Sequence, residues 1–240
     1  MRIAVLSDIH ANLPALEAVL AALGPVDAVW HLGDVVGYGP QPDEVVARLE
    51  ELGAVGVRGN HDAAALDPEM AEWFNPDARL AIEWTGGRIS AATRAWLGAL
   101  PDRRESQGLT LVHGSPRDPT WEYVMTGSEA RANLPAFGTL HLFHGHTHIP
   151  IAFRDDGGRM EMLGPRDGAT LILDKRRVLA NPGSVGQPRD GDPRASAMVL
   201  DTDTSTLTWR RVAYPIAATQ AAMRAVGLPA RLVTRLERGL

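Results

Sequence analysis

The chain has 240 residues, 45% of them hydrophobic, enough to bury a sizeable core in one domain spanning residues 1–240. Its net charge of -5, with no basic cluster beyond Lys175, Arg176 and Arg177, argues against long nucleic acid as a partner, because neutralising a phosphate backbone calls for a basic excess. Cysteine is absent, which removes disulfides and thiolate metal sites together and leaves His, Asp, Asn or water to hold any metal.

The first apolar run, Ile3 to Leu6, reaches Asp8 too early for a signal peptide, and no later run approaches membrane-spanning length. A cytoplasmic protein without a membrane partner is expected. Runs rich in Val, Ile and Leu follow at Ala28 to Leu32, Val55 to Val57, Leu109 to Val112, Leu140 to Phe143, Ala169 to Leu173 and Val178 to Ala180. Each stops at polar or glycine punctuation, which predicts buried strands feeding loops. Between the first three, apolar residues fall at helical spacing: Leu13, Leu16, Leu20 and Leu23 behind an Asn12 cap with Pro14 in the first turn, then Val45, Val46, Leu49 and Leu52. The opening third is therefore β-α-β-α-β, with parallel strands and loops gathered at their carboxyl ends, where open α/β sheets place their sites. Residues 67–104 read as a helical insertion carrying Trp73, Phe74, Trp84 and Trp96, with packing on the body favoured over a cap across the loops. From about Ala169 to Val212 strands follow one another across turns such as Asp201 to Ser205, which predicts hairpins and a second, mixed sheet. A helical segment over 215–240, interrupted by Gly227 and Pro229, comes last.

The ends of the apolar runs carry the chemistry. In order they read Asp8-Ile9-His10, Gly33-Asp34, Gly59-Asn60-His61-Asp62, His113-Gly114 and Gly145-His146-Thr147-His148. Residues two apart in extended chain point the same way, so Asp8 with His10, and His146 with His148, are expected to offer paired ligands to one side. Glycine beside a ligand lets backbone approach a metal or substrate closely. One Asp-x-His, or one His at a strand end, is more often a satisfied structural group. Five such blocks together reverse that reading.

The five blocks resemble the pattern of the calcineurin-like metallophosphoesterases: D-x-H, G-D, G-N-H-[DE], a lone H and G-H-x-H, in that order and across more than half of the chain. The resemblance implies an α/β (α+β) fold, a four-layer sandwich of two mixed β-sheets flanked by helices. It implies that Asp8, His10 and His148 hold one metal, that Asn60, His113 and His146 hold the other, and that Asp34 bridges them. It further implies hydrolysis of a phosphomonoester or phosphodiester by a hydroxide shared between two divalent transition-metal ions. His61 then stabilises charge or protonates the leaving alkoxide, with Asp62 orienting its imidazole. A mixed imidazole, carboxylate and amide-oxygen set suits Mn first, or Fe, Zn, Co or Ni, and a bridging carboxylate holds two cations about 3.5 to 4 Å apart.

Two further segments resemble a bacterial branch of that family: 113–119 with Trp121, Glu122 and Tyr123 after it, and 181–189. Both are loops by composition, and 181–186 reads as readily as a structural turn as a substrate contact. Arg117 and Arg189 are candidate bidentate phosphate donors, against the default of surface arginines. Tyr38, just after the bridging aspartate, is a candidate for the pocket wall. His31, His141 and His144 match no ligand position and read as core or supporting groups, with His144 on the His146 side by period-two spacing. An amidohydrolase would usually open with His-x-His and lack Gly-Asn-His-Asp. A non-catalytic scaffold of the same fold is the alternative that an intact ligand set and His61 disfavour. A phosphate-binding Gly-rich loop is excluded, since Lys175 is the only lysine and no Gly-Lys pair precedes a helix. The expected partner is a small phosphate ester, and fold does not choose between monoester and diester.

Overall fold

The computed structural model describes residues 1–240. β1 (Arg2–Leu6), α1 (Leu13–Leu23), β2 (Ala28–His31), α2 (Pro42–Glu51) and β3 (Val55–Gly56) form the opening unit, with β1, β2 and β3 parallel. The Asn12 side chain caps α1 by accepting from the Ala15 amide at 3.2 Å, and a proline occupies the first turn. Next come α3 (Asn60–Leu66), α4 (Pro76–Gly86) and α5 (Ala91–Gly98), with a 3-10 turn over Pro68–Trp73 between the first two. The chain continues through β4 (Arg103–Ser106), β5 (Leu109–Val112), α6 (Gly127–Asn133), β6 (His141–Phe143), β7 (Pro150–Asp155) and β8 (Met160–Leu163). β9 (Thr170–Ile172), β10 (Val178–Pro182), β11 (Ala195–Asp201), β12 (Thr206–Val212), α7 (Ile216–Ala225) and α8 (Ala230–Arg235) complete it.

Two six-stranded mixed sheets result, ordered β3-β2-β1-β11-β12-β9 and β4-β5-β6-β10-β7-β8. Strand alternation sends Ile3 and Val5 into a core shared with Leu111, Phe143 and Val178 of the other sheet. Ala4 and Leu6 face the opposite way, onto Leu16 and Val19 of α1 and Val45 and Leu49 of α2. On the far side, Ala130 of α6 packs with Leu142, Phe153 and Leu179. The layers are therefore helix, sheet, sheet, helix, the sandwich the sequence motifs imply.

One expectation is corrected. The β11–β12 hairpin does not found the second sheet; β11 pairs antiparallel with β1, from Arg2 opposite Asp201 to Val5 opposite Met198. β1 is buried from Ile3 to Leu6, so both of its edges must find partners, and alternation along β11 marks a strand without saying which edge it joins. The second sheet draws instead on β4, β7 and β8, whose charged residues Arg103, Arg104, Glu105, Arg154, Asp155 and Glu161 hide them from a search for apolar runs.

The helices of the 67–104 stretch pack on the body: Ile82, Ile89 and Leu97 join the cluster beneath α1 and α2. Met223, Leu232, Val233 and Leu236 pack with Tyr38, Ala78 and Ala81, which seats the C-terminal helices against α4 and the loop after β2. No helix is long and apolar enough to cross a membrane.

Candidate metal centre

The ligand-bearing loops leave the strands through left-handed turns. Asp8, His10, Asp34, His146 and His148 have φ of 51°, 49°, 52°, 66° and 60°. Such conformations cost a non-glycine residue about 1–3 kcal/mol and persist where the surroundings over-determine them. The backbone supplies that restraint: the Asp8 amide donates to Gly33 O at 3.1 Å and the His10 amide to Asp34 O at 3.0 Å. Because these residues are not extended, the two-residue alternation fails as a guide. His146 and His148 face different donor groups, contrary to the same-side pairing expected. Glycine at 59 and 145 is a steric need, since a Cβ there would run into the Asp34 carboxylate in one case and Ser7 and Asp8 in the other.

Two groups of donors form. Asp8, His10, Asp34 and His148 make one, Asp34, His113 and His146 the other, with the ligand atoms of each group within 4.8 Å of one another. Asp34 belongs to both. Asn60 Oδ1 joins the second at 3.0 Å from His113 Nε2. Three rings are locked from behind by backbone carbonyls: His10 Nδ1 on Val36 O at 3.1 Å, His113 Nδ1 on Leu32 O at 2.8 Å and His148 Nδ1 on Gln187 O at 2.6 Å. An imidazole that donates through Nδ1 presents a bare lone pair at Nε2. Yet His10 Nε2 and His148 Nε2 stand 3.2 Å apart. Acceptor faces acceptor in a site where every ligand is 5% exposed or less. That arrangement is repulsive without a cation between the lone pairs, so the donor set fits a bound metal.

The electrostatics agree. Burial holds His10 and His148 well below the ordinary imidazole range, His146 near about 3 and His61 near about 4, so their rings stay neutral. Burial alone would push the Asp34 carboxyl up, but the imidazoles of His113, His61 and His10 hold it well below the usual range. Asp8 is pushed up to about 7 by burial. For His113 burial opposes charge and Asp34 outweighs it, raising the ring to about 9. A cation displaces protons from such groups when it binds.

His61 lies beside the donors. Its amide donates to Asp34 Oδ1 at 2.8 Å, and its ring packs at 4.3 Å from Tyr38, 4.6 Å from Phe74 and 4.9 Å from His10. Its Nδ1 is buried without a partner. Asp62 does not orient that ring, which corrects the role expected for it. Its two oxygens accept from the Val36 amide at 3.0 Å and the Gly59 amide at 2.9 Å. Sitting at the third position of α3, it reaches back to cap the helix. Arg117 is corrected too: its guanidinium pairs with Glu122, which Ser115 and Asn133 also engage, away from the cleft. Arg189 and Tyr38 do reach the site. They line a cleft of about 220 Å³ together with Asp34, Asn60, His61 and His146.

The rim of that cleft is aromatic. Trp73, Phe74, Trp121 and Tyr123 line it, and Tyr123 stacks on His146 at 4.0 Å and 21°. The 67–104 stretch therefore contributes Trp73 and Phe74 to the mouth as well as packing on the body. No spacing rule marks these aromatics, because their loops meet only in the fold. The 181–187 loop turns out to be a brace. Asn181 Nδ2 donates to Gly145 O at 2.6 Å and Thr147 Oγ1 at 3.1 Å, Ser184 Oγ donates to Asp8 O at 2.7 Å, and Gln187 O takes the His148 ring. His31 stacks on Trp96 at 5.4 Å, His144 is buried with Nδ1 3.4 Å from Asn181 Nδ2, and neither they nor His141 joins the donors.

Comparison with known proteins follows from this geometry. The model of the calcineurin-like phosphoesterase superfamily domain matches residues 1–205. A metallophosphoesterase structure from Sphaerobacter thermophilus is similar at 47% identity and a TM-score of 0.92, covering 100% of this chain and 99% of that one. The phosphodiesterase YfcE of Escherichia coli K12 is 31% identical over 216 residues, 85% of this chain and 89% of its own length. A symmetrical bis(5'-nucleosyl)-tetraphosphatase from Nitrosococcus oceani is 34% identical over 146 residues, 54% of this chain and 49% of its own.

Proposed function

This chain belongs to the calcineurin-like phosphoesterase superfamily and is a metal-dependent phosphoric ester hydrolase, and from that premise we infer that it cleaves a phosphodiester or phosphomonoester of a small, nucleotide-like substrate at a pair of divalent cations. The observation that carries the reading is the convergence of locked imidazole lone pairs on two donor groups joined by Asp34. In this reading Asp8, His10, Asp34 and His148 hold one ion, and Asp34, Asn60, His113 and His146 hold the other, with Mn²⁺ the first candidate. Two such cations, when bound, supply Lewis acidity to the phosphoryl oxygens and lower the pKa of a shared water.

The chain's own groups do the rest. Val36, Leu32 and Gln187 fix the ring planes, so ligand geometry is set before substrate arrives. His61 lines the cleft outside both donor groups, where it stabilises charge on the phosphoryl group or gives a proton to the departing oxygen. Arg189 adds a planar donor for a phosphate oxygen. The aromatic rim offers stacking faces to a flat base or aryl group. That favours a nucleotide-like ester, the class named by the Nitrosococcus oceani relative, while the Escherichia coli relative is named a phosphodiesterase.

The test is hydrolysis of bis-p-nitrophenyl phosphate and p-nitrophenyl phosphate by protein stripped of metal and reloaded with Mn²⁺. Metal-dependent cleavage that a chelator abolishes is expected, and the faster ester assigns diester or monoester preference. Inert protein holding two ions per chain would leave the donor set without this chemistry.

A further inference from the structure

Beside the cleft, and sharing Tyr38, Asn75 and Arg189 with it, lies a larger groove of about 790 Å³. Its outer wall is made by α8 and the turn after it, which contribute Arg231, Arg235 and Arg238. Four guanidiniums thus border one groove. None of them has an Asp or Glu side chain at ion-pair distance, whereas Arg194, Arg210 and Arg211 on the β11–β12 side each hold one. Arg189 Nη2 donates to Gln187 Oε1 at 2.9 Å and to the Tyr38 hydroxyl at 3.4 Å, while its Nε is buried without a partner. Arg235 Nε donates to the terminal carboxylate oxygen of Leu240, which leaves Arg189, Arg231 and Arg238 without an anionic partner. The acidic side chain in the wall is Asp77, in the first turn of α4.

Four cations facing one cavity repel one another. Burial, with Arg189 next, lowers the Arg235 guanidinium to about 10, which still leaves it charged near neutrality. An anion relieves that repulsion, and guanidinium matches phosphate through paired N–H donors. Arg189 and Tyr38 belong to both spaces, so a ligand with one phosphate at the metal donors can lay another against the arginines. Three of the four arginines lie beyond residue 205, where the match to the superfamily model ends.

We propose that the arginine groove is a second phosphate subsite, and that the substrate is a nucleotide carrying a further phosphate group beyond the ester that is cleaved. The inference rests on the phosphoesterase reading above and narrows its substrate class. Matched esters test it. Thymidine 5'-(p-nitrophenyl phosphate) and its 3'-phosphorylated counterpart present the same scissile diester and differ by one phosphate. At low ionic strength the Mn²⁺-loaded protein is expected to favour the phosphorylated ester in kcat/KM by about tenfold or more. Arg231→Ala with Arg235→Ala should abolish that preference. Arg231 is exposed, so Arg231→Glu, a change the fold tolerates, should turn the preference toward the unphosphorylated ester. Equal kcat/KM for the two esters in the unmodified protein overturns the subsite, as does a double variant that loses the same factor on both. Absence of turnover with either ester by metal-loaded protein removes the phosphoesterase reading, and the subsite with it.

Discussion

His61 and Asp34 are joined by one short hydrogen bond, from the His61 amide to Asp34 Oδ1, yet they should fail differently. Asp34 is common to both donor groups, so Asp34→Ala removes a ligand from each ion. Metal content and activity are expected to disappear together, and a variant that still carried two ions by elemental analysis would contradict the bridge. The His61 side chain is in neither group. His61→Ala should retain its metals and lose about 10²–10⁴-fold in kcat, the usual contribution of a positioned acid. Turnover at the original rate would strip the residue of that role. At this scale the sequence motifs name the side chains that come together, but hydrogen-bond partners need coordinates. Asp62 looks like a partner for its neighbour and is in fact a backbone cap, because the third position of a helix faces back to the free amides of the first turn.

The loop elements hold this centre, and the 181–187 loop shows how. It runs from the end of β10 toward β11, strands of different sheets, and it touches both the Asp8 backbone and the His146–His148 turn. Asn181 is its pivot: its side chain satisfies Gly145 O, Thr147 Oγ1 and the Gly183 amide. Asn181→Ala leaves the Gly183 amide unpaired and takes one donor each from Gly145 O and Thr147 Oγ1, at a cost of about 1–3 kcal/mol, and loosens two ligands. Mn²⁺ affinity, measured by titration calorimetry, is expected to fall about 10–100-fold. Full affinity in a folded variant would make the loop a structural turn only. The same elements explain what periodicity could and could not reveal. β1, β2, β5 and β10 are buried along almost their whole length and read as apolar runs, whereas β4 and β8 carry exposed charges and leave no such mark.

At the scale of the molecule, the donor groups draw on both sheets. Asp8, His10 and Asp34 follow strands of the first sheet, and His113, His146 and His148 follow strands of the second. Ions bound there stabilise the folded state alone. Mn²⁺ at about 100 times its Kd should add about 2.7 kcal/mol per site, and chelation should lower Tm by several degrees in a scanning calorimeter. An unchanged Tm after verified metal removal would mean the donors are held without cations. What the sequence by itself determined is which Asp, Asn and His side chains converge and their order, because each stands in a short motif at a strand end. It also determined the β-α-β opening, because burial on both faces and helical spacing are local patterns. The tertiary structure alone decided that β11 completes the first sheet, that His146 and His148 part company, and that Arg189 shares a groove with Arg231, Arg235 and Arg238. These depend on contacts between residues far apart in the chain, which local periodicity does not encode.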